Sequence, residues 1–374
     1  MDLCDDDKIE SSFFELILVA LEGRISHPHN LPKAAWEAIL SISQRQAVAG
    51  VVFSAIEQLS EKGQSIPKSL LFEWLGLNEQ IKQRNLLLNL RCKALERLLS
   101  EEGFRCCVLK GQGTALYYKN PMCRQSGDID VWVTKDGGGK TEEIRREIVR
   151  LAKEKGYHVG HVDIKHSDID FFEDVPVEVH FMPSWMFSPF KNRRLQRFFE
   201  EKLDKQFNNY DASVGFTHTT LDFDLVFSLV HIYRHVFEGG IGLRQLLDYY
   251  YILIHSNEEQ RDEAYKVLKE LGMSAFAGGI MWVLKECFAM NDNYFFCGAN
   301  ESHGKFLFSE ILRAGNFGHY DTRYQFLGKE KRFHNGIINI KRNIHYLSYY
   351  PSEVLWSPIR KVWHWCWRKW KGYL

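Results

Sequence analysis

The chain carries no net charge: 48 Lys and Arg balance 48 Asp and Glu. That balance counts against a broad, charge-driven hold on a long nucleic acid, though a local basic groove stays open. No two of the eight cysteines stand in C-x-x-C spacing, so zinc-ribbon spacing is absent. Cys106 and Cys107 fall in an apolar run that reads as a buried strand, and the expectation is reduced core thiols in a cytoplasmic protein. Long apolar runs are missing too. Phe13 to Leu21 is too short and too interrupted to span a bilayer, and the start is acidic (Asp2, Asp5, Asp6, Asp7, Glu10) where a signal peptide is basic. Neither a signal peptide nor a transmembrane helix is expected. There is no internal repeat and no low-complexity linker.

What is present is the balance of a folded protein: 45% hydrophobic, 26% charged and 14% aromatic residues over 374 positions. That length exceeds one ordinary compact core. Three regions differ in pattern. Residues 1–104 read as helical: Phe13, Leu16, Ile17, Ala20 and Leu21 form one stripe, Pro67 opens a helix, and Asn78 to Leu99 places Leu87, Leu90, Ala94 and Leu98 at three- and four-residue steps. Residues 105–190 alternate: Arg105–Leu109 and Ile129–Val133 as strands, Thr141–Lys155 as a helix, then strands over Tyr157–Asp163, Ser167–Phe172 and Val175–Phe181. Glu173-Asp174 before Pro176 suggests a hairpin turn between the last two. Residues 191–374 return to helix. The fold class is therefore α+β, a small mixed sheet flanked by helical regions.

The chemistry concentrates between Val108 and Val133. A strand ends at Lys110-Gly111, a short helix follows, and a second strand carries Asp128 and Asp130. Strand residues two apart share a face, so both carboxylates project together while Ile129 and Val131 enter the core. Two like charges so close are costly without a cation between them. Mg²⁺ held by one or two carboxylates and substrate phosphates is the usual solution, with Mn²⁺ as an alternative. Val177-Glu178-Val179-His180 is an alternating strand that puts Glu178 and His180 on one face. Beside the Asp128 strand it would bring three carboxylates together, a geometry suited to two-metal phosphoryl transfer.

These residues resemble the polymerase-beta-type nucleotidyltransferase pattern of a Gly-containing turn, Asp-x-Asp and a later single acid. More narrowly they resemble an uncharacterised bacterial nucleotidyltransferase family sharing Leu109-Lys110-Gly111, Tyr117, Arg124, Asp128-Ile129-Asp130 and Val177-Glu178-Val179-His180. Its helical lead-in is similar to residues 33 to 104, and its later helix pair to Leu229–His235 and Leu243–Asp248. The resemblance implies a nucleotidyltransferase core over residues 105–190 and transfer of a nucleoside monophosphate from a nucleoside triphosphate to an unassigned acceptor. Asp128, Asp130 and Glu178 would be the catalytic, metal-binding acids; Lys110, Gly111, Arg124, Ser126, His180 and Arg244 would contact nucleotide. One departure is that Gln112 follows Gly111 where the superfamily has Gly or Ser. Another is a longer gap from Gly111 to Asp128. Lys110, Arg124 or Ser126 would then supply the phosphate contacts.

Other signals take plainer readings. Asp168-Ile169-Asp170 repeats Asp-x-Asp without the Lys-Gly turn and reads as a solvated strand face. Thr134–Thr141 (TKDGGGKT) mimics a P-loop but lacks its first glycine, and reads as a strand-to-helix turn. His231 and His235, four apart without His-Glu-x-x-His, read as a packed or pocket-lining pair. Arg244 and Asp248 read as a helix ion pair, or Arg244 reaches nucleotide. From Trp356 to Leu374 five Lys or Arg and no acid accompany Trp356, Ile359, Trp363, Trp367 and Trp370. This is an amphipathic basic helix, either docked on its own domain or making peripheral membrane contact. The runner-up for the whole is a non-catalytic nucleotide-binding or interaction module that keeps the fold.

Overall fold

The structure is a computed structural model and describes residues 3–23, 31–61, 66–324 and 332–371. Four helices lead: α1 (Leu3–Glu22), α2 (Lys33–Arg45), α3 (Ala49–Glu61) and α4 (Lys68–Glu101). Pro32 and Pro67 stand at the entries of α2 and α4, where the missing N–H costs no hydrogen bond. The 34 residues of α4 make it about 51 Å long. Its buried face is Leu88, Cys92, Leu95 and Leu99, whereas Leu90 is 62% exposed. Of the expected stripe, Leu87 and Leu98 pack half-buried against the same cluster, while Leu90 and Ala94 are exposed. In a segment as rich in leucine as Asn85–Leu90, three- and four-residue steps are met by more than one face.

Five strands follow: β1 (Phe104–Val108), β2 (Ile129–Lys135), β3 (Val159–Val162), β4 (His166–Ile169) and β5 (Val177–His180). The short α5 (Gln112–Ala115) links β1 to β2, and α6 (Thr141–Glu154) links β2 to β3. The sheet order is β1-β2-β5-β4-β3. Only β2 and β5 pair in parallel, so the sheet is mixed. Strand alternation gives it two unlike faces. Cys106, Val108, Ile129, Val131, Val133, Val177 and Val179 join α4 and α6 in one apolar cluster. The other face carries Asp130, Trp132, Glu178 and His180.

Helices cover that second face. These are α7 (Pro189–Phe207), then, past the small hairpin β6 (Tyr210–Asp211) and β7 (Phe216–Thr217), α8 (Leu221–Glu238) and α9 (Leu243–His255). Trp132 is fixed beneath them, its ring 4.9 Å from Phe207 and 6.1 Å from Phe223. The chain continues through α10 (Glu258–Glu270), α11 (Ser274–Phe288), α12 (Glu301–Ala314), α13 (Arg332–Leu347) and α14 (Pro351–Lys371). Leading and trailing helices share one core: Phe13, Ile17 and Val52 belong to the same buried cluster as Leu229, Ile280 and Leu284.

The basic tail, α14, is docked along one side. Glu353 accepts the Phe187 backbone N–H at 3.0 Å, and Lys371 pairs with Glu142 at 2.9 Å. Its opposite side leaves Leu355, Ile359, Val362 and Trp370 exposed. Trp356 and Trp367 are half-buried, so the expected aromatic stripe is split between the two sides; Leu374 lies outside the described residues. No helix among them is long and apolar enough to cross a membrane.

Candidate functional site

Register across the sheet sets the site. Asp130 on β2 stands directly beside Glu178 on β5, which stands directly beside Asp168 on β4. One step along, Trp132, His180 and His166 form the next row. Neighbouring strands lie about 4.8 Å apart, so each row compresses its side chains on one face. Asp130, Glu178 and His180 each bring a ligand-type atom within 4.8 Å of the others, and His166, Asp168 and Glu178 do the same. The strand face expected to be solvated is so, the Asp168 side chain being 47% exposed, yet it borders Glu178.

Each charge here has a nearby answer. Asp130 is 2% exposed. Its Oδ2 meets Lys110 Nζ at 2.8 Å and its Oδ1 meets His180 Nε2 at 2.9 Å. Burial alone would raise the Asp130 carboxyl, but Lys110 and His180 outweigh it and hold it well below the carboxylate range. His180 Nε2 also lies 3.3 Å from Glu178 Oε2. Glu178 is lowered as well, the His180 contact overcoming its burial. Asp128, just before β2, behaves in the opposite way: the Asp130 charge, then burial, raises it. Lys110 is raised despite burial, because Asp130, Asp128 and Glu178 surround it.

Gly111 makes this arrangement reachable. Its φ of +62° is a conformation side chains resist, and a Cβ there would sit 3.7 Å from the Asp128 carbonyl oxygen. The positive φ is what calls for glycine here, and the turn lies in ordinary contact with the start of β2 while Lys110 reaches across to Asp130.

Three predicted nucleotide contacts have other partners. Arg124 is 4% exposed and makes a bidentate pair with Asp248, both N–O distances 2.8 Å. It also donates to the Ser126 hydroxyl at 2.5 Å. Tyr118 donates to Asp248 at 2.7 Å, so Arg124 fastens α9 to the sheet unit. Asp248 is taken by Arg124, and among the described residues Arg244 forms no ion pair with it. Arg244 instead donates to the Gln125 carbonyl at 2.6 Å and is lowered by burial and by Arg124. It still lines the same cleft as Lys110, Gly111, Ser126 and Asp128.

His231 and His235 sit ring to ring at 4.3 Å and line the site cavities, in no metal-ligand grouping among the described residues. The P-loop-like segment turns between the far end of β2 and α6, away from Asp130. Sequence reasoning missed Asp168 and His166, although the expected hairpin put their strand beside that of Glu178; the register is centred on residue 173 and pairs 168 with 178. It also missed Lys165, Trp185, Arg234 and Arg360, which line a second cavity beside Glu178. They come from four distant segments, and no spacing signals such a meeting.

The donors fit a divalent cation. Carboxylate oxygens with one imidazole could hold a divalent metal ion, and the raised Asp128 beside Asp130 is a repulsion that a cation relieves.

The sequence profile of the uncharacterised nucleotidyltransferase family matches residues 32–289. That span takes in α2 through α11 and every residue of both rows, the carboxylates and the Trp132–His180–His166 row. No curated protein and no solved structure matches the chain.

Proposed function

The chain belongs to the uncharacterised nucleotidyltransferase family, and from that premise we propose that it moves a nucleoside monophosphate from a nucleoside triphosphate to an acceptor oxygen, releasing pyrophosphate. The observation that carries this reading is the side-by-side register of Asp130 and Glu178, with Asp128 and the Lys110-Gly111 turn at its edge. Asp128, Asp130 and Glu178 would hold Mg²⁺ or Mn²⁺, which when bound supplies charge stabilisation to the phosphates and the acceptor oxygen. Glu178, ionised at neutral pH, takes the acceptor proton as the oxygen attacks the α-phosphorus. The bond from that phosphorus to the pyrophosphate oxygen breaks in line. Lys110 and Arg244 bring positive charge to the triphosphate side of the cleft. Arg124 and Ser126 act by holding the cleft's shape, and His180 by orienting Asp130 and Glu178.

The test is a thermal-shift screen of the four common nucleoside triphosphates with Mg²⁺, on the wild type and on Asp128→Asn. A metal-dependent rise with one triphosphate, lost in the variant, is the expected result. Absence of a rise with all four points to the non-catalytic module.

A second reading concerns where the enzyme works. Leu355, Ile359, Val362 and Trp370 of α14 and Ile340 and Ile344 of α13 are exposed apolar side chains, with Lys369 among those of α14. We propose that this side rests on an anionic membrane surface. Co-sedimentation with phosphatidylserine vesicles should fall in Ile359→Glu/Val362→Glu; unchanged sedimentation rejects the idea.

A further inference from the structure

Beside the carboxylates lies a second cavity, of about 540 Å³, whose near wall is Lys110, Asp128 and Glu178. Its volume suits a small molecule and not a polymer. The far wall is cationic and aromatic. Lys165 comes from the loop before β4, Arg234 from α8, and Arg360 and Lys361 from α14. Trp185 forms the flat part, with the Arg234 guanidinium 3.5 Å from its ring centroid and Arg360 at 4.7 Å.

These cations are only partly neutralised. Arg234 pairs with Glu238. Asp163, the other acid on this wall, accepts the backbone N–H groups of Lys165 and His166 at 2.6 and 2.8 Å. Among the described residues neither Lys165 nor Arg360 has an ion pair. Arg360 lies between Trp185 and Trp363, its charge facing rings instead of carboxylates. Lys165 is lowered by burial and by Arg234 and Lys110, and Arg360 is held at about 10 by burial and by Arg234. Buried like charges that depress one another are relieved by an anion placed between them. Of the two guanidinium groups over this indole, Arg234 is spent on Glu238 and the Trp185 carbonyl, and Arg360 presents the forked donors suited to a phosphate or carboxylate.

Resting on the transfer reading above, we infer that this cavity is the acceptor site and that it takes a small acceptor bearing a phosphate or carboxylate group. The anionic group anchors between Lys165 and Arg360, the body lies on Trp185, and the reacting oxygen faces Glu178 and Asp128. The basic tail then has a chemical duty, because α14 supplies Arg360 and Lys361 and closes the cavity's far side. This duty is independent of any contact made by the helix's outer apolar side.

The experiment is isothermal titration calorimetry with phenyl phosphate and with benzoate, on the full chain with Mg²⁺. Each probe is titrated alone and in the presence of a non-hydrolysable analogue of the triphosphate chosen by the thermal-shift screen. Wild type should bind at least one probe together with the analogue. Arg360→Ala and Lys165→Gln should each weaken that probe about tenfold while analogue affinity stays unchanged. Stronger binding of phenyl phosphate assigns a phosphorylated acceptor, and stronger binding of benzoate a carboxylic one. No binding of either probe, or binding equal in both variants, overturns the inference. Displacement of the probe by the analogue also overturns it, since the cavity then belongs to the nucleotide and the transfer reading survives. Failure of every triphosphate in the screen is a separate result that removes the transfer reading itself.

Discussion

The two Asp-x-Asp segments are the same three residues in different places, and the sheet treats them differently. Asp130 lies on β2 between two paired strands, is 2% exposed and is bound by Lys110 and His180. Asp168, one strand beyond Glu178, has a side chain 47% exposed and a raised pKa, burial first and then the Glu178 charge. Asp170 is out at 61% exposure, paired with the equally open His158 at 2.9 Å. Asp128 and Asp170 are each the outer member of a pair, yet only Asp128 is crowded by a second carboxylate. β2 and β4 are each one strand in from an edge of the sheet, so what covers the strand, not the motif or its place in the order, decides how much an acid costs and how strongly it is answered.

Substitution of the central acid should break this comparison most severely. Asp130→Asn leaves Lys110 without its buried partner and should cost about 3–5 kcal/mol in urea unfolding. It should also lower nucleotidyl transfer by about 10³-fold or more, whereas Asp170→Asn should change neither. Glu178→Gln should retain fold and nucleotide binding while kcat falls about 10²–10⁴-fold, since the acceptor proton loses its receiver. Asp168→Asn should leave kcat near wild type and raise the Mg²⁺ needed for half-maximal rate about tenfold, because Asp168 shapes the Glu178 environment from beside it. An unchanged Mg²⁺ requirement would make it a bystander after all.

A smaller effect of opposite sign is expected at the other member of the first motif. The Asp130 charge raises Asp128, so its ionised form weakens the metal-free fold. Asp128→Asn should raise Tm without Mg²⁺ by about 1–3 °C while abolishing the response to nucleotide.

A buried acid outside both motifs sharpens the contrast. Asp224 on α8 is 1% exposed and accepts the Tyr117 hydroxyl at 3.1 Å. Among the described residues no cation pairs with it, and burial pushes it up to about 7. Between the unfolded value near 4 and this folded value, the folded chain holds a proton that the unfolded chain has released. Stability from this group is therefore lost as pH rises from about 4 to about 7. Asp224→Asn should flatten that slope in Tm against pH; an unaltered slope would show Asp224 ionised in the fold.

How far the sequence could be read follows from where information is local. Strand alternation showed which of Ile129, Asp130 and Val131 face together, and the turn signal at residues 173–174 placed β4 and β5 in one hairpin without fixing their register. Strand order was not local. Nothing in the residues between β2 and β5 dictates that these two pair in parallel, and that pairing alone puts Asp130 beside Glu178. Arg124 illustrates the same limit: its partner Asp248 is 124 residues away. A basic residue near a candidate site reads as a phosphate contact until a distant carboxylate claims it.

The sequence by itself determined the α+β class and the shared face of Glu178 and His180, because periodicity and alternation act over a few residues, and its motifs carried the resemblance to the family that the profile match bears out. Only the tertiary structure decided that α14 closes a cationic cavity, that Asp168 and His166 join Glu178, and that Arg124 is a strut. Those outcomes depend on which surfaces meet. Many distant pairings satisfy the same local patterns, and burial of the whole apolar surface selects among them.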